Sequence, residues 1–194
     1  MTLNESWGFN RTDDQWKTPK TIVNNLITCA RGGGNYLVNI GPEPDGSVPA
    51  ASVEVLEAVG KWMDANGAAI YGTERLQADW YALENFTRRG NTLYVHVYDW
   101  PGHTPAAEWL DFYKPEVVVA IGGLKPKVLS ARLLKTGQKV EFTEDEFSLR
   151  MTGLPLVAPD QPATVIELEC DSEPIVDHSA MRPLWPRLKV GISV

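Results

Sequence analysis

Apolar residues recur at helical spacing in two stretches near the start of the chain, and at alternate positions through much of the remaining length. The first helical run is Ile22, Val23, Leu26, Ile27 and Ala30, preceded by Thr18-Pro19 and closed by Gly32-Gly33-Gly34. A threonine N-cap accepts from a free N–H of the first turn, and proline at the first helical position removes a donor that has no partner there. The second stripe is Val53, Leu56, Val59, Gly60 and Met63, ending at Asn66-Gly67, where glycine stops a helix cheaply. Between them lies Asn35–Ile40 (NYLVNI), a continuous apolar run that predicts a strand buried on both faces, as in a parallel sheet. Pro42–Gly46 (PEPDG) is turn chemistry. Helix, strand, loop, helix is the order of an α/β protein.

From Glu74 the period changes. Thr92–Tyr98 (TLYVHVY) alternates after a Gly90-Asn91 turn, which is a strand signal. Val117–Ile121, Lys127–Leu134, Lys139–Phe142, Ser148–Met151 and Thr164–Glu169 come next as short strands between glycine, proline or charged turns. That spacing predicts an antiparallel sandwich or barrel. The fold class expected is therefore α/β followed by all-β, with residues 1–73 as the first region, 74–173 as a β-sandwich and 174–194 as a third. The third carries prolines and ends in LKVGISV. An extra strand, an oligomer contact and a tail are all open readings of it.

Composition narrows the possible chemistry. A net charge of −7 leaves no basic footprint for nucleic acid or an anionic membrane. No apolar run of the length a bilayer needs is present, and Met1–Asn10 lacks the basic start and apolar stretch of a signal peptide, so a cytoplasmic location is expected. Cys29 and Cys170 stand far apart and read as two free thiols. His96, His103 and His178 show no metal-ligand spacing, and no cofactor is expected. Gly32-Gly33-Gly34-Asn35 precedes a strand signal rather than opening a helix, which is wrong for a phosphate loop. Three Asn-x-Ser/Thr sequons, at Asn4, Asn10 and Asn85, read as chance matches without a secretory signal.

One strand cannot bury both its faces with two helices alone, because each of its edges needs a neighbour. A complete (β/α)8 barrel takes about 250 residues, and the first region has 73. The motifs resolve this. SWGFN at Ser6–Asn10, GGGNYLVNIGPEPDG at Gly32–Gly46 and VGKWMDANGAAIYGT at Val59–Thr73 resemble, in order and spacing, the α-L-fucosidases of glycoside hydrolase family twenty-nine. Phe9 stands where that family has tyrosine, keeping the ring and losing a hydroxyl.

The resemblance implies the last βα units of a (β/α)8-type barrel followed by a C-terminal antiparallel β-sandwich. It implies retaining hydrolysis of terminal α-L-fucosides, with a fucosylated glycan or aryl fucoside as substrate. Such a mechanism needs two carboxyl groups about 5–5.5 Å apart. In the family both lie upstream of the SWGFN-like motif, so no catalytic residue is assigned in this chain. Substrate-binding roles fall on Trp7, as an aromatic wall for the methyl side of fucose, and on Asn10.

Among the acids near these motifs, Asp13, Asp14, Glu43 and Asp45 read as turn or solvated groups, while Glu5, beside SWGFN, is the nearest to a substitute acid, and a single carboxylate cannot run a double displacement. Glu144-Asp145-Glu146 reads as an exposed turn. Trp80, Trp100 and Trp109 surround the β-rich region, for core packing or for stacking on sugar rings. Alternatives to a fucosidase C-terminal portion are a non-catalytic carbohydrate-binding or structural module, and a small enzyme whose site is rebuilt by oligomerisation. A homo-oligomer or an upstream barrel segment is the partner expected to cover the open strand.

Overall fold

Helix α1 spans Pro19–Arg31 in the computed structural model, which describes residues 1–78, 85–101 and 117–178. Its start is the predicted one: the Thr18 hydroxyl accepts from the Thr21 amide at 3.2 Å, and Pro19 takes the first position. Its end is glycine-driven. Gly33 adopts a left-handed φ of 71°, and the Gly34 amide donates back to the Cys29 carbonyl at 2.9 Å. Ile22, Val23 and Ile27 form the buried face.

Helix α2 spans Ala50–Asn66 and runs into a single 3-10 turn at Gly67–Ala69. Its bounds match the pattern, but its buried face does not. Ser52, Val55, Trp62 and Asn66 point inward, whereas Val53 and Leu56 of the expected stripe are 39% and 38% exposed. Trp62 sets this rotation. It is the largest side chain of α2, it is 3% exposed, and its indole N–H donates to the Ala163 carbonyl at 2.8 Å. Docking that ring turns the Val53–Leu56 side outward.

Asn35–Ile40 is the second correction. It is extended chain with one parallel bridge, Asn39 to Thr2, and Leu37 is 71% exposed. The Leu3 amide donates to the Asn39 carbonyl at 3.0 Å and the Asn39 amide to the Met1 carbonyl at 2.8 Å. Among the described residues, Met1–Leu3 is the only chain alongside this stretch, so a strand sandwiched on both edges does not form. α1 lies between the two stretches in the chain, and they run parallel at that single bridge. Leu3, Ile22 and Val55 are the buried centre of this region, against Trp16, Tyr36, Val38 and Ile40. The described residues contain no closed barrel.

Ten strands complete the described chain: β1 Glu74–Arg75, β2 Gln77–Ala78, β3 Phe86–Arg89, β4 Thr92–Val97, β5 Val117–Gly122, β6 Val128–Leu133, β7 Glu141–Glu144, β8 Ser148–Leu154, β9 Thr164–Cys170 and β10 Ile175–Val176. An antiparallel five-stranded sheet has the order β1-β3-β4-β9-β6, and a three-stranded antiparallel sheet the order β5-β8-β7. β2 pairs in parallel with β10, which is also bridged on its other side at Leu124↔Val176.

The alternation predicted for the strands explains the layering. Leu93, Val95, Ile166 and Leu168 face Val117, Ile121, Leu149 and Met151 of the smaller sheet in one shared core. Tyr94 and Val165 point the other way, onto Val23, Ile27 and Trp62 of the helices. The large sheet is therefore the middle of three layers. β7 begins two residues later than expected, because Val140 is spent in the tight return after Gly137, donating to the Ala131 carbonyl at 2.9 Å. In the third region, Ile175–Val176 forms β10 and Val176 is buried; residues beyond 178 lie outside the described ones.

Candidate functional site

The Ser6–Asn10 loop is held from several directions. The Asp13 carboxylate accepts from the Glu5 amide at 3.1 Å and the Ser6 amide at 2.8 Å through one oxygen, and from the Gln15 amide at 3.2 Å through the other. Desolvation pushes this carboxyl up, but bonds from Ser6, Gln15 and Glu5 outweigh it and hold it below its ordinary value. The Thr2 hydroxyl donates to the Ser6 carbonyl at 3.0 Å. The Asn39 side-chain nitrogen donates to the Trp7 carbonyl at 2.7 Å.

Gly41 lies directly against Gly8. A Cβ added at Gly41 would fall 2.5 Å from the Gly8 carbonyl carbon and 2.7 Å from the Phe9 nitrogen, closer than any side chain can come. Gly41, just before the PEPDG turn, is thus keyed against the Gly8 backbone of the loop. Within the loop, the Asn10 side chain is already engaged. Its oxygen accepts from the Thr12 amide at 3.1 Å and the Thr12 hydroxyl at 2.9 Å, and its nitrogen donates to the Ser6 hydroxyl at 3.2 Å. The result is a fixed backbone carrying an outward aromatic pair, with Trp7 65% and Phe9 37% exposed.

Sequence reasoning singled out Trp7 and Asn10, and the structure puts both on this loop. It missed the groups that fix it. Asn39 carried one usable signal, a polar residue inside an otherwise apolar run.

The neighbouring acids do structural tasks. Glu5 pairs with Lys17 at 3.1 Å, and the Lys17 ammonium also donates to the Asn4 carbonyl at 2.8 Å. Asp14 accepts from the Gln15 side chain at 2.7 Å. Asp45 accepts from the Ser47 amide at 3.0 Å and its hydroxyl at 2.7 Å, which lowers its pKa, while the Glu43 amide donates to the Ser47 carbonyl and closes the PEPDG turn. Asp145 caps the Phe147 and Ser148 amides at 2.8 Å each, and those bonds lower its pKa.

The two cysteines are free, and burial, followed by the nearby acids Glu169, Asp171 and Glu144, pushes the Cys170 thiol up to about 12. Trp100 is half-buried and packs at the margin of the sandwich core, with its indole N–H donating to the Pro155 carbonyl at 2.8 Å. His103, Trp80 and Trp109 lie outside the described residues.

A family model described as α-L-fucosidase matches residues 1–68, which include the whole loop and its supports. Tissue α-L-fucosidase of Mus musculus is 31% identical over 178 residues, covering 84% of this chain and 34% of that protein. The Homo sapiens counterpart is 36% identical over 103 residues, covering 50% and 22%. Among solved structures, α-L-fucosidase isoenzyme 1 from Paenibacillus thiaminolyticus superposes with a TM-score of 0.72 at 33% identity, over 89% of this chain and 39% of that one. The Thermotoga maritima α-fucosidase in complex with a mechanism-based inhibitor gives 0.67 at 25% identity, over 87% and 38%. These proteins are glycoside hydrolases, and the likeness to them runs through both the helical and the β-rich regions. Residues 1–68 match the α-L-fucosidase family, and the chain as a whole is similar to α-L-fucosidases. It spans between about a fifth and a third of the length of the curated relatives it matches.

Proposed function

We propose that this chain forms the C-terminal part of an α-L-fucosidase fold, in which Trp7 walls a fucoside pocket and the reacting carboxylates come from an upstream barrel segment. The reaction in this reading is retaining hydrolysis of a terminal α-L-fucoside, which needs a nucleophile and an acid/base pair. The observation that carries it is the Ser6–Asn10 loop: a backbone locked by Asn39, Thr2, Asp13 and the Gly8–Gly41 contact holds an indole out in solvent. A rigid aromatic face is suited to the apolar methyl side of a deoxy sugar. Asn10 acts through the loop it closes. The acids around the loop are occupied by turns and by Lys17, which supports a supply of carboxylates from elsewhere. Leu37, Val53 and Leu56, all exposed, are the surface that the upstream segment covers in this reading.

The test is hydrolysis of a chromogenic aryl α-L-fucoside by the purified chain, with its oligomeric mass recorded. No turnover is expected from the chain alone. Joined to the upstream barrel of the Paenibacillus thiaminolyticus relative, it is expected to turn over, and Trp7→Ala is expected to cut kcat/KM by about tenfold or more. Turnover by the chain alone as a defined oligomer, lost on Trp7→Ala, would mean that copies of the chain build a complete site and would sink the upstream-segment reading.

A further inference from the structure

A cleft of about 450 Å3 separates the start of α1 from the loop joining β8 to β9, and it shares no residue with the Ser6–Asn10 loop. Its volume is within the range of small-molecule sites. Two aromatic residues directly after β4 line it, and both are fixed by bonds that point elsewhere. The Trp100 indole N–H is spent on the Pro155 carbonyl at 2.8 Å, and the Tyr98 hydroxyl reaches the Asn24 carbonyl at 3.5 Å. What they have left to offer a ligand is apolar ring surface. Val157, 74% exposed, also lines the cleft and adds to that apolar surface.

The polar groups are of a different kind. Lys20 and Asp99 sit 3.7 Å apart with side chains 57% and 95% exposed, an ion pair worth little in water and easily traded for other partners. The Gln161 side chain is exposed beside them. One positive and one negative group side by side favour neither an anion nor a cation. They suit a neutral ligand with adjacent hydroxyls, one donating to the carboxylate and one accepting from the ammonium. Apolar ring surface and hydroxyl-binding groups lining one cleft match a pyranose, which has an apolar C–H face and a polar rim. We infer that this cleft is a second carbohydrate subsite, binding a neutral pyranose through Trp100, Tyr98, Asp99, Lys20 and Gln161.

The probe is methyl β-D-galactopyranoside, titrated into the 15N-labelled chain while the Trp100 indole N–H resonance is followed. A saturable shift is expected. Asp99→Ala combined with Gln161→Ala changes only exposed side chains and is expected to weaken binding at least about tenfold, since hydrogen bonds to charged groups are the stronger ones. Trp7→Ala is expected to leave it unchanged. Absence of a saturable shift would overturn the inference, as would full affinity in the double variant. Loss of binding on Trp7→Ala would reassign the sugar to the Ser6–Asn10 loop, and saturable binding of inorganic phosphate in place of the galactoside would refute a neutral ligand.

Discussion

His96 is an imidazole sealed between a sheet and a turn. The Thr87 hydroxyl donates to the Ala69 carbonyl at 2.6 Å, so toward His96, 2.9 Å away, it accepts, and Nε2 carries the proton. Nδ1 is buried without a partner, and burial pushes the ring's pKa from 6.5 down to about 3. The folded value lies below the unfolded one, so as pH falls past about 6.5 the unfolded chain takes up the proton first. Stability present at neutral pH is then lost by up to about 1.4 kcal/mol per pH unit until the folded value is reached. Urea denaturation at pH 7 and pH 5 is expected to show about 2 kcal/mol more loss in the native chain than in His96→Gln. Equal losses in the two proteins would show that this ring does not control the acid sensitivity. Gly41 offers a second test. Gly41→Ala must displace the Gly8 backbone and is expected to cost about 1–3 kcal/mol, with a changed Trp7 emission. Gly60→Ala, inside α2 where an added Cβ meets nothing within 4 Å, is expected to gain about 0.5–1 kcal/mol. A neutral Gly41→Ala in thermal melts would contradict the tight contact.

The C-terminal end of α2 is fastened by a polar cluster rather than by apolar contact alone. Asp160, 7% exposed, accepts from the Asn66 side chain at 2.6 Å, from the Lys135 ammonium at 2.7 Å and from the Gln161 amide at 2.8 Å. Asp160→Ala leaves one side-chain N–H of buried Asn66 unmet, the other staying on the Trp62 carbonyl at 3.0 Å, and is expected to cost about 2–3 kcal/mol and to speed amide exchange in the last turn of α2. Asp160→Asn, which keeps an acceptor for Asn66, is expected to cost less; equal costs for the two would mean that Asn66 does not depend on this acceptor. Nothing local announced this cluster, since Asn66 lies 94 residues from Asp160 and Lys135 lies 25 away. By contrast α1 was legible end to end, because Thr18, Pro19 and the glycines after Arg31 are all short-range signals. The bounds of α2 were legible in the same way, but its rotation depended on the Ala163 carbonyl that Trp62 reaches, 101 residues distant. NYLVNI failed as a strand prediction for a related reason: an apolar run states a preference for pairing and says nothing of whether a partner is present.

For the chain as a whole, the sequence pattern located β4 to β9 and missed β3, and the order of the strands depends on contacts the local pattern does not encode. β9 lies between β4 and β6, pairing Thr92 with Glu169 and Leu133 with Ile166. β1, β2 and β10, at two residues each, are too short to show a period. The candidate site divides the same way. Trp7 stood out through its motif, but its carbonyl is held by Asn39 from 32 residues away.

The parallel pairing of β2 with β10 bears on how the β-rich region answers force. Its chain enters at Glu74 through β1 and β2, β10 is the last of its described strands, and β2 and β10 run side by side in the same direction. Tension applied between the start of β2 and the end of β10 therefore drags these strands past one another along their length, so their hydrogen bonds are strained together rather than peeled one at a time. The Gly123–Lys125 backbone clamps β10 from its far side, taking the Asp177 amide at 2.9 Å and giving the Lys125 amide to Ile175 at 3.0 Å. β2 and β10, near the two ends of the described β-rich region, are in this way fastened to each other against stretching.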